Sequence, residues 1–335
     1  VNCAKCGTEV APARLSCPVC RALLHADELK RLASKAEAAA GNGDLTAELS
    51  AWRSALELLP PDSGQFEQVA RKIDDLSRRV DASPRAAGPS LGGVWKRGGA
   101  LAAVGLLAWK LKSLLLILLT KGKLLFLGLT KAGTVFSMAL SLGVYWTAFG
   151  WALALGLILS LYVHEMGHVA VLQRFGVRAS FPMFIPGLGA VVLLKQRLAN
   201  PSEDARVGLA GPLWGLGAAV TCYLAFLGTG WPILVAVARV GAWLNLFNLL
   251  PIWQLDGGRA FRALSRFQRI VAAAAMATLW IWTREGLLVL LFLVAAARCF
   301  TPDAPTSGDR TAFIQYLVLL GSLSAFCLLH VPLTS

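Results

Sequence analysis

Apolar positions follow two regimes along this chain. Between residues 26 and 80 they recur at helical spacing among charged residues. Leu29, Leu32, Ala33 and Ala36 mark a first helix, Leu45 to Leu59 a second, and Phe66 to Val80 a third with alternating charges. Gly41-Asn42-Gly43 separates the first two, and Pro60-Pro61 ends the second. From residue 100 onward, apolar runs of near membrane-span length take over. They lie near 132–148, 150–170, 207–228, 231–250, 269–283, 286–300 and 311–330, the fifth and sixth short enough for a shallower hairpin. A further run, 101–120, is apolar but carries Lys110 and Lys112 at its centre. The pattern predicts an all-α polytopic membrane protein of about six or seven transmembrane helices, preceded by a small soluble region.

Composition agrees with that division. Hydrophobic residues make up 56% and charged residues 15%, with a mean hydropathy of +0.61; a disordered chain is excluded and the composition weighs against an ordinary cytosolic enzyme. Residues 1–99 hold 14 Lys/Arg and 12 Asp/Glu, whereas residues 100–335 hold 18 Lys/Arg and 7 Asp/Glu. A basic excess in a soluble protein would point to nucleic acid. Beside long apolar runs it marks cytoplasmic loops instead, so the expected partner is the lipid bilayer and no nucleic acid is expected.

Arg174, Arg178, Lys195, Arg197 and Arg206 follow the second span and put that loop inside, as do Arg259, Arg262, Arg266 and Arg269 for the next one. Predicted outside loops hold little more than Arg284. Nothing before residue 100 has the apolar core of a signal peptide, so the N-terminal region is expected in the reducing cytoplasm. Parity then assigns 101–123 to the cytoplasmic surface as an interfacial or re-entrant helix. Arg239 falls inside the fourth span, where an unpaired charge is costly.

Four of the seven cysteines sit in Cys3-Ala-Lys-Cys6 and Cys17-Pro-Val-Cys20. Two such pairs ten residues apart supply four thiolates for one tetrahedral zinc, and a domain this small gains most of its folding free energy from the metal. Residues 1–25 therefore read as a cytoplasmic zinc ribbon. Residues 26–80 include, from Gly43 through Trp52 and Ala55 to Pro60, something like one tetratricopeptide-type helix pair, which cannot bury its own face alone. The segment reads equally well as a solvated helical spacer and as a module for a protein partner. Residues 81–99, rich in Pro, Gly, Ser and Arg, read as a linker to a membrane domain over 100–335.

Chemistry concentrates in His164-Glu165-Met166-Gly167-His168. Histidines four apart share one helical face and reach one metal ion, with the glutamate beside them to accept a proton. By chance such a pattern arises in a chain of this composition about once in a thousand. Zinc with one position open for water needs a third protein ligand. Among the acidic residues of the membrane half, Glu203, Asp204, Asp303 and Asp309 fall in predicted loops and Glu285 adjoins an outside turn, which leaves Asp256. Its other reading is a helix-end carboxylate paired with Arg259. The Gly257-Gly258 pair, which lets a backbone turn near a metal, favours the ligand.

The HEMGH of one span and Asn248-Leu-Leu-Pro251-Ile-Trp-Gln-Leu255-Asp256-Gly257 of a later one, together with Ala210-Gly211-Pro212, resemble the site-2 protease family of intramembrane zinc metalloproteases. The resemblance covers residues 150–260. It implies that His164, His168 and Asp256 bind a catalytic zinc, that Glu165 is the general acid/base, and that Asn248 helps bind substrate or the oxyanion. Phe181 to Gln196 is similar to the family's small membrane-associated β-hairpin, which offers a strand edge to an unwound substrate. Trp214-Gly215 stands where many members carry an Asn. The implied activity is hydrolysis within or near transmembrane segments of membrane-protein substrates, in regulated intramembrane proteolysis, by an integral protein of a bacterial inner membrane. Two zinc ions are expected, one catalytic and one structural. The competing classes are a metal-ion transporter, for which repeated ligands and a His-rich loop are missing, and an idle membrane adaptor, which would not need Glu165.

Overall fold

The computed structural model describes residues 2–11, 14–83, 132–177, 182–185, 189–191, 198, 200–252 and 255–332. The first 25 residues form two similar knuckles. In each, the amide of the residue after the second cysteine (Gly7 and Arg21) bonds back to the carbonyl of the first (Cys3 and Cys17), at 2.8 and 2.9 Å. Both residues adopt positive φ, +73° for Gly7 and +56° for Arg21, so the arginine carries the strain that glycine avoids.

Helices α1 (Ala26–Gly41), α2 (Leu45–Leu56) and α3 (Gly64–Ala82) follow. Asp44 caps α2 by accepting from the Ala47 amide, and Ser63 caps α3 through the Phe66 amide. The third helix runs into the stretch read as a linker; residues 84–99 lie outside the described residues, as does the interfacial helix expected over 101–123.

The apolar half comprises α4 (Ala132–Phe149), α5 (Trp151–Arg174), the strands β1 (Met183–Ile185) and β2 (Gly189–Val191), and α6 (Pro201–Thr229). Then come α7 (Pro232–Asn248), α8 (Asp256–Arg262), α9 (Arg266–Thr283), α10 (Gly286–Arg298) and α11 (Arg310–Cys327). By length and composition α5, α6 and α11 can each cross a membrane, while the apolar helices Thr134–Phe149, α7 and α10 are shorter. The antiparallel strands pair Met183 with Val191, Phe184 with Ala190 and Ile185 with Gly189. Phe184 is buried while Met183 and Ile185 are exposed, and the Phe184 amide donates to Ser137 of α4 at 3.2 Å.

Helix α6 begins earlier than the apolar run it contains. Asn200 accepts from the Glu203 amide and Pro201 occupies the first turn, a start built from the cap and a pre-set φ. Glu203 and Asp204, expected in a loop, thus belong to the first turn of α6, because that turn packs against soluble helices rather than lipid.

The two ends of the bundle differ. At one end lie the ion pairs Arg206–Asp81, Arg206–Asp309, Arg259–Asp204, Arg262–Asp204 and Arg269–Asp303. Burial works against the charge of Asp303, but Arg269, Thr301 and Arg298 outweigh it and hold its carboxyl down to about 2. At the other end the turns expose Trp146, Phe149, Trp151, Trp231, Trp280 and Trp282, the aromatic composition of a membrane–water boundary. Arg239 is exposed on α7.

The helical segment 45–82 is docked on the charged end. Leu49, Ile73, Leu76 and Val80 form one buried cluster with Val171, Leu172, Phe175, Val177, Val207 and Ala210. Arg53, 4% exposed, forms an ion pair with Glu203, 2% exposed, and donates through Nε to the Phe175 carbonyl at 3.0 Å. Ser77 donates to Glu203 at 2.9 Å, Asn200 to Asp74 at 2.7 Å, and Arg174 to the Val80 and Ser83 carbonyls at 2.7 and 2.9 Å. Gly176, at φ +65°, lies so close to Ser50 that a Cβ would meet its backbone nitrogen at 2.8 Å. A solvated spacer does not describe these helices, whose apolar face packs on the ends of α5 and α6.

Candidate metal centre

The centre is assembled from four helices. His164 and His168, one turn apart on α5, project toward α6. Gly211 of α6 comes closest: a Cβ there would lie 2.3 Å from His168 Nε2 and 2.6 Å from His164 Nε2. Only a residue without a side chain leaves the space between the imidazoles open. Helix α8 brings Asp256 as its first residue. Gly257 allows this, since its Cβ would stand 1.9 Å from the Leu249 carbonyl; the glycine serves a close approach of α8 to the end of α7. That end is itself fixed, because the buried Tyr316 hydroxyl of α11 donates to the Leu249 carbonyl and its ring meets Phe261 edge-on at 5.2 Å.

His164 Nε2 lies 3.1 Å from Asp256 Oδ2, His168 Nε2 lies 3.3 Å from Asp256 Oδ1, and the two Nε2 atoms are 3.1 Å apart. A tetrahedral zinc with ligand bonds near 2.0–2.1 Å has ligand–ligand edges of about 3.3 Å. Donor chemistry and spacing both fit zinc, and the gap opposite Gly211 is the cradle it would fill. All three side chains are buried, as is Glu165 at the same level of α5. Three buried acceptors this close repel one another without a cation or a shared proton between them.

Both imidazoles are oriented from behind. His168 Nδ1 lies 2.7 Å from the Val207 carbonyl, which can only accept, so Nδ1 carries the proton and Nε2 faces the centre. His164 Nδ1 lies 2.7 Å from Oδ1 of Asn245. Asn248, one turn further along α7, brings its amide nitrogen to 3.4 Å from His164 Nε2, at the rim of the centre. Arg259 is not the partner of Asp256: its Nε donates to Asp204 at 2.8 Å.

Asn245 and Val207 carry no motif signal that sequence reasoning used, and Gly211 entered only through the Ala210-Gly211-Pro212 resemblance. Asn245 could have been found, since two asparagines three apart on an apolar helix share a face.

The four N-terminal cysteines also converge. Cys3 Sγ lies 3.6 Å from Cys20 Sγ, and Cys6 Sγ lies 3.6 Å from Cys17 Sγ, against about 3.8 Å for thiolates around a tetrahedral zinc with 2.3 Å bonds. The Thr8 hydroxyl, 3.2 Å away, and amide draw the Cys6 thiol down to about 6. The Ala22 amide acts likewise on Cys20, but burial and the neighbouring sulfurs outweigh it and push that thiol up to about 12. Four thiolates do not coexist here unaided; a divalent cation would remove the conflict.

Comparison with known proteins bears on residues around this centre. Residues 152–231 match peptidase family M50. The chain is 32% identical over 187 residues to the putative zinc metalloprotease Rip3 of Mycobacterium tuberculosis, covering 52% of this chain and 46% of that protein. It is 32% identical over 114 residues to the zinc metalloprotease MJ0392 of Methanocaldococcus jannaschii, 32% of each. With the probable chloroplastic zinc metalloprotease EGY1 of Arabidopsis thaliana it shares 26% over 211 residues, 48% of this chain and 38% of that one. The chain thus spans a third to a half of the length of these curated relatives. No solved structure matches it.

Proposed function

We propose, from the premise that residues 152–231 match peptidase family M50, that this chain is a membrane zinc endopeptidase acting on transmembrane segments of other membrane proteins. The observation that carries the reading is the convergence of His164, His168 and Asp256 at 3.1–3.3 Å inside a bundle of apolar helices. In this reading six or seven spans surround the centre, the charged end faces the cytoplasm of a bacterial cell, and the ribbon holds a second, structural zinc.

Bound by the three ligands, zinc supplies Lewis-acid polarisation of a carbonyl and acidifies water. The chain's own groups do the rest. Glu165 accepts the proton of the attacking water and returns it to the departing amine. Asn248 offers an N–H donor at the rim, where negative charge develops on the scissile oxygen. Because a helix hides its carbonyls, the substrate has to unwind first, and the β1–β2 hairpin, which exposes the Met183 and Ile185 side chains, is the surface proposed to receive the extended segment. His168 and His164 lie roughly 9 and 15 Å from the end of α5, at 1.5 Å per residue, so the proposed water supply is from the charged end.

The test is cleavage of a single-pass membrane substrate by the purified full chain in detergent or proteoliposomes. Stripping metal with a phenanthroline chelator is expected to abolish cleavage, and one equivalent of zinc beyond that held by the ribbon to restore it. Cleavage that persists in the stripped protein would refute the reading.

A further inference from the structure

We infer that Asn245 is a positioning residue for the metal centre, selecting the tautomer in which His164 presents a free Nε2. The inference rests on the zinc reading above. Its geometry is closed on every side. Asn245 is buried in α7, accepts at Oδ1 from His164 Nδ1 at 2.7 Å, and donates through Nδ2 to the Gly241 carbonyl at 2.7 Å. Flipping the amide would set Oδ1 against the Gly241 carbonyl, two acceptors face to face. The orientation is therefore fixed by a backbone group of the same helix. With Oδ1 turned to the imidazole, His164 Nδ1 must hold the proton, and its lone pair stays on Nε2.

Two glycines let α7 deliver this amide. A Cβ on Gly215 of α6 would meet Asn245 Oδ1 at 2.1 Å, and one on Gly241 would meet Ser160 Oγ of α5 at 2.9 Å. Helices α5, α6 and α7 thus close around a single side chain. The two histidines are oriented by different elements, His168 by the α6 backbone and His164 by α7. A ligand's outer partner raises its basicity and prevents ring rotation, and loss of such a partner costs about 10–100-fold in metal affinity.

The experiment compares Asn245→Leu and Asn245→Asp with wild type in the full chain. Zinc is withdrawn by competing chelator, and the phase absent in Asp256→Ala identifies the membrane centre apart from the ribbon. Leucine keeps the branched shape and removes the acceptor; its zinc affinity is expected to fall about 10–100-fold, with an unchanged ribbon phase. Aspartate keeps an acceptor for His164 Nδ1 but sets its second oxygen against the Gly241 carbonyl, so its affinity is expected to fall less than that of the leucine variant. The cobalt(II) spectrum of the centre should change in the leucine variant and not in the aspartate variant. Wild-type affinity in Asn245→Leu, or equal losses in both variants, would overturn the role assigned to Asn245. Should leucine prevent folding, wild-type affinity in Asn245→Ala, which also lacks the acceptor, would do so. If wild type shows no phase that depends on Asp256, the zinc centre itself falls and this inference with it.

Discussion

Glu165→Gln is expected to leave zinc binding unchanged and to lose turnover by about 10²–10⁴-fold, the usual contribution of a positioned proton acceptor. Glutamine matches the carboxylate in size and can still hydrogen-bond, so packing at this buried position on α5 is preserved. What it cannot do is take a proton from water. The proposed ligands His164, His168 and Asp256 are unaltered, so metal content measured on the purified variant should match wild type. Single-turnover cleavage of a bound membrane substrate is the informative measurement, because it separates chemistry from substrate loading. A rate within twofold of wild type would remove Glu165 from the proton path. A variant that lost zinc would show that Glu165 supports the centre rather than the reaction.

The second large effect is expected far from the centre. Arg53→Met should strand Glu203, 2% exposed, without its cation at the junction of the soluble helices and α6. Removing one partner of a buried ion pair costs about 3–5 kcal/mol, whereas replacing both by apolar residues of similar size is often neutral or stabilising. Arg53 also holds the Phe175 carbonyl at 3.0 Å, just past the end of α5, so the single substitution loosens both α5 and α6 from the 45–82 segment. Amide exchange should rise across 171–177 and 201–207, and limited proteolysis should cut the N-terminal helices free. The double variant Arg53→Met/Glu203→Leu should recover much of the protection. Unchanged exchange in Arg53→Met would mean that the apolar cluster alone keeps the helices in place.

These two predictions differ in how far the sequence could lead to them. His164, Glu165 and His168 are legible because the helix brings i and i+4 to one face, a local rule. Asp256 is legible by elimination, since few acids remain in an apolar chain once loops are set aside. Apolar helix positions are legible for the same local reason, although the start of α6 was not: its polar first turn, Glu203 and Asp204, looks like a loop until it is seen to pack on protein. Arg53 stands 150 residues from Glu203, and Asn245 stands 81 from His164. No periodicity links such pairs. A charged residue on a soluble helix gives no local sign that it will be buried. The helical segment therefore reads as solvated or as waiting for a partner, when its apolar face belongs against the ends of α5 and α6.

That separation sets an order of events during synthesis. The 45–82 helices leave the ribosome before either surface they pack against exists. At about 5–20 residues per second, the 150 residues between Arg53 and Glu203 take roughly 8–30 s to translate. Until α5 and α6 follow, the face formed by Leu49, Ile73, Leu76 and Val80 lacks the surface it packs against, the kind of transiently exposed apolar patch that makes a nascent chain aggregation-prone.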